Sequence, residues 1–391
     1  MTTLTPADEA ELSSAVAEAV AARTPLEIAG GGTRAGLGRP VQAERTLSTR
    51  GLAGIRLYEP GALTLVVGAG TPMAEIEAAL ATESQMLPFE PNDHRALLGS
   101  EGEPTIGGAV AVNASGPRRI QRGACRDSMI GVRFVDGRGQ AVANGGRVMK
   151  NVTGLDLVKL MAGSYGTLGV VSQIGFKVLP TPEATATVRL HGLDDAQAVA
   201  AMADALGSPY DVAGAAHLPD GAGAPVTMIR VEGLAGSVAY RTGELMERLA
   251  RFRPAGIDTA PESATAWKRV RDAETFAGRE GAVWRVSVRP SDGPALVAAL
   301  REAAQLNAVF YDWGGGLIWL LIAEEGDAGA TAIRAQTARL GGHATLVRAS
   351  AATRAAVDVF EPEPAPLARI SAGLRDKFDP HGILNPGRMR A

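Results

Sequence analysis

Residues 105–182 read TIGGAVAVNASGPRRIQRGACRDSMIGVRFVDGRGQAVANGGRVMKNVTGLDLVKLMAGSYGTLGVVSQIGFKVLPTP. Glycines stand here in tight groups with apolar runs between them. Met129 to Val135 and Val170 to Val178 have the length and apolar content of buried strands. The second run stops at Pro180 and Pro182, residues that cannot donate to a central ladder. Around these strands lie three glycine-rich loops. The first is Thr105-Ile106-Gly107-Gly108, followed by Asn113, Ser115-Gly116 and Arg118-Arg119. The second is Gly123 with Arg126-Asp127, and the third is Gly163-Ser164-Tyr165-Gly166-Thr167-Leu168-Gly169-Val170-Val171. Such groups occur where a backbone turns sharply or lies close against a ligand.

Toward the N-terminus a fourth loop appears, Gly30-Gly31-Gly32-Thr33-Arg34-Ala35-Gly36, after a short strand expected at Leu26 to Ala29. Successive glycines let backbone N–H groups converge on one anion, and Thr33 adds a hydroxyl. A pyrophosphate suits this nest; taken alone, the stretch also reads as a tight surface turn. Four such loops among the strands of one domain could line the long path of a dinucleotide. Gly68-Ala69-Gly70 follows an expected strand, Leu63 to Val67, and precedes an expected helix, Pro72 to Ala81. It starts like a nicotinamide-dinucleotide fingerprint, but Met73 stands where the third Gly or Ala belongs. A simple strand-to-helix turn is the better reading. The first helix is expected to open at Thr5-Pro6, bury Leu12, Val16, Ala19 and Val20, and stop near Arg23 ahead of Pro25.

After Pro182 the glycine groups thin out. Strand-like segments at 185–190, 226–231, 283–288, 309–311, 317–322 and 345–347 alternate with helical segments at 196–206, 238–249, 294–304 and 328–340. The order is close to two β-α-β-β-α-β units, which build one antiparallel sheet with helices on one face. Glu361-Pro362-Glu363-Pro364 breaks the pattern. A last helix from Pro366 to about Phe378 leads into the turn-dense Asp379 to Gly387, a segment that reads as pinned against something. The expected fold class is α+β, with domains at residues 1–180 and 181–360 and a returning segment at 361–391.

The 391 residues are 46% hydrophobic and 21% charged, with a formal net charge of -3. This is globular composition. No Lys/Arg run points to nucleic acid. The start lacks a secretory pattern, and no apolar window is long enough to span a membrane. A cytoplasmic protein is expected. Cys125 is the sole cysteine, so an iron–sulfur cluster, which normally takes four thiolates, would have to sit in another chain. His94, His191, His217, His343 and His381 show no metal-ligand spacing, and no metal site is expected.

The run at 105–182 resembles the second half of the FAD domain in the vanillyl-alcohol-oxidase (PCMH-type) superfamily. The ending FDPHGILNPGRM resembles that family's C-terminal return to the flavin. Pro117-Arg118-Arg119, VMKNVTGLDL and VFEPEPAPLARISAGLRDKFDPHGILNPGRM are similar to the E-type, FAD-binding subunits of bacterial glycolate oxidase. The resemblance implies a PCMH-type FAD domain followed by an α+β cap. It makes Gly30, Gly31, Gly32, Thr33 and Arg34 the pyrophosphate loop. Pro91, Thr105, Gly107, Gly108, Asn113 and Gly116 would line the cofactor. Arg126 and Asp127 would support that wall, with a structural role equally open to Asp127. Gly169 and Val170 would press the adenine-side pocket, and Asn385 and Gly387 would sit near the ring system. Relatives that tether FAD do so through a His in or near the cofactor loops; this loop carries Arg34 and no His, and non-covalent FAD is expected. Cys125 falls where the family has a small residue. The partners implied are a catalytic FAD subunit and an iron–sulfur subunit, which together oxidise glycolate to glyoxylate. Contact with a membrane would come through those partners.

Oxidising a small 2-hydroxy acid requires a carboxylate fork, a group to take the hydroxyl proton, and an exit for electrons. The catalytic subunit's His-rich motif is not found here, and His343 stands alone. Trp267 and Arg271 lie four apart and share a helix face. They read either as an aromatic wall with an Arg reaching for a carboxylate, or as an amphipathic helix with a solvated basic side. Tyr311, Trp313 and Gly314-Gly315-Gly316 read as a loop facing the flavin or as a strand turn with core aromatics. Three functions stay open at this point: a flavin-bearing subunit of the oxidase, an autonomous FAD-dependent 2-hydroxy-acid dehydrogenase, and a scaffold or electron-relay flavoprotein.

Overall fold

The structure is a computed structural model describing residues 2–146, 154–220 and 223–390; residues 148–153 of the VMKNVTGLDL segment lie outside that range. The chain divides into two units, Met1–Ser115 with Gly123–Thr181 and Pro362–Ala391, and Gly116–Arg122 with Pro182–Glu361. Prolines stand at both long breaks, where the residue before each is pushed to extended backbone. The short Gly116–Arg122 stretch groups with the second unit rather than with its sequence neighbours.

In the first unit β1 (Thr2–Leu4), β2 (Leu26–Ala29) and β3 (Arg45–Ser48) form a parallel sheet in the order β1-β3-β2. There follow β4 (Ile55–Glu59), β5 (Thr64–Gly68), β6 (Gln85–Met86), β7 (Met129–Val135), β8 (Ala141–Gly145), β9 (Val170–Lys177) and β10 (Leu179–Pro180). Five of these form an antiparallel sheet in the order β4-β5-β9-β7-β8, while β6 pairs with β10. β5 is buried along its whole length, so it reads as a continuous apolar run. Leu65, Val67, Phe134, Ile174 and Phe176 of this sheet share a core with Ile76 and Leu80 of helix Met73–Ala81 and with Ile106 and Val110 of helix Ile106–Ala111.

The first helix runs Glu9–Ala22 and starts later than Thr5-Pro6 suggests. The Asp8 carboxylate accepts the N–H groups of Ala10 and Glu11 at 2.9 Å each and is the stronger cap. Arg23 ends the helix in the left-handed region, at φ 52°. Leu12 and Val16 are fully buried against Leu26, Leu47, Val135, Val170 and Leu384. Each such side chain contributes about 1.5–3 kcal/mol. Leu384 brings the C-terminal segment into this core, bridging to Leu26.

The second unit contains β11 (Ala184–His191), β12 (Val212–Leu218), β13 (Val226–Gly233), β14 (Pro254–Thr259), β15 (Ala282–Ser287), β16 (Leu306–Asp312), β17 (Leu317–Ile322) and β18 (His343–Arg348). They form one antiparallel sheet in the order β14-β11-β13-β12-β16-β17-β15-β18. β12 and β14, not expected from the sequence, complete the first β-α-β-β-α-β unit. Each unit has the strand order fourth-first-third-second, and the two meet through their second strands. Helices Asp195–Leu206, Ala235–Arg248, Gly293–Ala303 and Ala330–Leu340 bury their apolar residues in one core with this sheet. No helix among the described residues is long and apolar enough to cross a membrane.

Candidate functional site

β2 runs directly into Gly30-Gly31-Gly32-Thr33. The carbonyl of Gly31 accepts Arg50 Nη2 at 3.2 Å, and that of Thr33 accepts Ser100 Oγ at 2.9 Å. A trans peptide points the following N–H the opposite way, so drawing back the Gly31 carbonyl presents the Gly32 N–H. The N–H groups of Gly31, Gly32 and Thr33 have no acceptor among the described residues. Gly30 and Gly31 are required by close packing, and Gly32 by its φ of 81°. A Cβ on Gly31 would lie 1.6 Å from Glu103 O, and one on Gly30 would lie 2.3 Å from Thr105 Oγ1. Arg34 fastens the end of the nest, its Nη1 donating to Asn92 Oδ1 at 3.1 Å and its Nη2 to the Asn92 carbonyl at 2.6 Å.

The nest lines a cleft of about 820 Å³, counted to its open mouth. Gly30, Gly31, Gly32, Thr33, Arg34, Thr105, Gly107, Gly108, Gly169 and Asn385 all contribute to its walls. Thr105 caps helix Ile106–Ala111 through its hydroxyl. Gly107 packs on Ala69, whose carbonyl accepts the Gly107 N–H at 2.8 Å. Gly169 meets Phe134, where a Cβ would lie 2.7 Å from the ring. Asn385 holds two walls together. Its Oδ1 accepts Ile28 N–H at 2.8 Å, and its Nδ2 donates to the Tyr165 carbonyl at 2.7 Å.

Other expected residues stand outside this lining. Val170 is fully buried in the core below β2. The Asn113 amide oxygen accepts the Arg126 N–H at 3.0 Å, and the Asp127 carboxylate accepts the Ala124 N–H at 2.8 Å. Pro91 is half-buried just before Asn92. Gly116 lies in the second unit, where its carbonyl accepts the Trp313 indole N–H at 3.1 Å. Gly387, with φ 75°, turns the chain between Asn385 and Arg388. Cys125 is fully buried, and burial pushes its thiol pKa well up.

Several lining residues carried no signal of their own. Glu27, Ile28, Thr49, Ala111, Val112 and Arg388 face the cleft but look like ordinary strand, helix or tail residues. Ala69 also lines it, so the Gly68-Ala69-Gly70 turn serves as a wall. Ser164, Tyr165 and Gly166 belong to the glycine-rich loop already conspicuous in the sequence.

In the second unit Trp267 is buried. Its indole N–H donates to Thr187 Oγ1 at 2.9 Å, and the Arg230 guanidinium lies 4.4 Å over its ring. Arg271 pairs with the adjacent Asp272 through bonds of 2.8 and 2.7 Å. Tyr311 is buried and Trp313 lies under Arg119, 4.5 Å from its ring centre. His343 is held below the usual imidazole range by partial burial and by Arg285. Among the described residues, no three His, Cys, Asp or Glu side chains gather as a metal-holding group.

A family model described as an FAD binding domain matches residues 2–144. Glycolate oxidase subunit GlcE of Escherichia coli (strain K12) is 36% identical over 377 residues, spanning 96% of this chain and 95% of that protein. The chain belongs to the GlcE family. It is a member of the FAD-dependent oxidoreductases with the PCMH-type FAD fold. Glycolate oxidase subunit GlcD of Bacillus subtilis (strain 168) is 35% identical over 130 residues, 33% of this chain and 24% of that one. A solved alkyldihydroxyacetonephosphate synthase superposes with a TM-score of 0.69, at 15% identity, over 98% of this chain and 76% of its own; that likeness concerns the fold. The cleft of this GlcE-family chain fits FAD on its own geometry. Unpartnered N–H donors at the nest suit a diphosphate, and Gly30 and Gly31 leave no room for side chains of their own.

Proposed function

We propose that this chain is the FAD-bearing E-type subunit of a glycolate oxidase, acting beside a catalytic FAD subunit and an iron–sulfur subunit in the oxidation of glycolate to glyoxylate. The observation that carries the reading is the end-to-end match to the GlcE subunit. On this reading the protein works in the cytoplasm and meets a membrane through its partners.

FAD, when bound, supplies the acceptor for hydride from a carbon bearing a hydroxyl group. The chain's own residues bind and orient. The N–H groups of Gly31, Gly32 and Thr33 hold the diphosphate, and Arg34 keeps the nest in register through Asn92. Thr105, Gly107 and Gly108 form the facing wall, and Asn385 fixes the wall at Ile28 to the wall at Tyr165. Among the described residues the lining holds neither His nor Cys, which supports non-covalent attachment. In the second unit, Trp267 roots helix Glu262–Arg271 in the interior, and Arg271 is the residue we assign to the substrate carboxylate.

The test is the visible spectrum of the purified chain, alone and with its partners, before and after anaerobic glycolate. A flavin spectrum in the isolated chain, with bleaching by glycolate in the assembled enzyme, is expected. Correctly folded protein that takes up no flavin either alone or in the complex would overturn the proposal. Bleaching of the isolated chain would make it an autonomous dehydrogenase instead.

A further inference from the structure

We infer that Arg388 is a positioning residue for FAD, one that sets how tightly the cleft holds the dinucleotide by locking the loop that carries the glycine nest. The inference rests on the reading of this cleft as the FAD site. Arg388 is 6% exposed. Its Nη1 donates to the carbonyls of Ala35 at 3.3 Å and Leu37 at 3.1 Å, and its Nη2 donates to Glu27 Oε1 at 2.8 Å. Glu27 lies on the strand that enters the nest, and residues 35–37 follow its exit. One guanidinium therefore ties together both ends of the loop from 27 to 37. The backbone completes the lock. Arg39 N–H donates to the Arg388 carbonyl at 2.8 Å. Gly38 stands at φ 78°, where a Cβ would lie 2.9 Å from Arg388 Cγ.

This arrangement bears on affinity because of what it holds. Three consecutive glycines lose more backbone freedom on ordering than any other tripeptide. If the nest had to be ordered by its ligand, that cost would come out of binding; a loop ordered beforehand avoids it. The Arg fork suits the task, since its planar donors reach several acceptors at once and a Lys ammonium cannot reproduce that geometry. Asn385, three residues earlier, already joins Ile28 to Tyr165. The tail from 385 to 388 thus fixes the start of the nest and its exit together.

The experiment compares Arg388→Ala and Arg388→Lys with the wild-type chain. FAD dissociation constants are read from quenching of flavin fluorescence, with circular dichroism and thermal melting to establish folding. Arg388→Ala is expected to raise the dissociation constant at least tenfold, and Arg388→Lys to fall between. Added ethylguanidinium should restore part of the affinity of Arg388→Ala. Arg390→Ala removes the nearby ion pair to Glu363 and should bind FAD as wild type does. A dissociation constant for Arg388→Ala within twofold of wild type would overturn the inference. Equal weakening by Arg390→Ala would do the same, showing general loosening of the tail. Should Arg388→Ala fail to fold, Arg388→Lys and Glu27→Gln decide it, and affinities within twofold in both overturn it. Gly31→Leu, measured alongside, keeps the two ideas apart. If that variant binds FAD normally, the cleft is not the FAD site whatever Arg388 does.

Discussion

His217 and Tyr311 form the Cα pair through which β12 meets β16, and among the described residues they join the two halves of the eight-stranded sheet. The Asp195 carboxylate serves both. Its Oδ1 lies 3.6 Å from His217 Nε2, and Arg301 Nη1 lies 3.2 Å from its Oδ2, with the buried Tyr311 also acting on it electrostatically. Burial acts to raise the Asp195 pKa, but the nearby His217, Arg301 and Tyr311 outweigh it and hold the carboxyl below its ordinary range. The folded state therefore binds this proton less tightly than the unfolded chain. The stability it contributes is present above the ordinary carboxylate pKa and is lost as pH falls through the lower folded value. Asp195→Asn should cost about 1–3 kcal/mol at neutral pH. It should also flatten the fall in stability below about pH 4. Thermal melting of both proteins from pH 3 to 7 checks this; parallel curves would remove Asp195 as the hub of the joint.

Gly31→Leu should abolish FAD retention, because a Cβ there would lie 1.6 Å from the Glu103 carbonyl oxygen, and backbone cannot yield as a flexible side chain can. Gly36→Ala is the control. Its Cβ would meet Leu98 at 3.9 Å, an ordinary contact, and FAD content should be unchanged. The readout is flavin per chain after gel filtration. Full flavin in folded Gly31→Leu protein would sink the assignment of the nest.

The sequence showed the nest, the third glycine-rich loop and the alternation of the second unit because each depends on local chemistry. β12 was hidden because Val212-Ala213-Gly214-Ala215-Ala216 is small and weak in strand propensity; the strand exists because neighbours on both sides bury it. β14 was hidden by Pro254 and Gly256, residues tolerated because it is an edge strand. In the cleft, Arg388 and Glu27 were illegible because they lie 361 positions apart, and no spacing rule links a tail arginine to a strand glutamate. Trp267 and Arg271 were correctly placed on one helix. Their spacing could not say that Arg230 would stack on one and Asp272 would pair with the other.

Arg271→Ala tests the assigned contact with substrate. Asp272 is buried and accepts from both Nε and Nη2 of this guanidinium, while Lys268 Nζ lies 3.8 Å from its Oδ2. Folding and FAD content should survive. In the assembled enzyme kcat/KM for glycolate should fall about tenfold or more, the loss of about 1.4 kcal/mol of transition-state binding. Unchanged kcat/KM would confine Arg271 to its ion pair with Asp272.

Cys125 provides a test of the wall behind the cleft. Its side chain is fully buried and its backbone N–H donates to Ser115 Oγ at 3.1 Å. Burial holds the group as a neutral thiol, and Arg34, which favours the thiolate, does not overcome that. The thiolate is the reactive form, so the native chain should resist a disulfide reagent at pH 8, while guanidinium-unfolded chain should react with one equivalent. Any labelling of native protein must then pass through opening of the first unit. FAD binds the folded state, so saturating FAD should slow labelling by the factor by which it suppresses opening. Rapid labelling of native protein would show that the Cys125 wall is open, and labelling unaffected by FAD would separate that wall from the cofactor cleft.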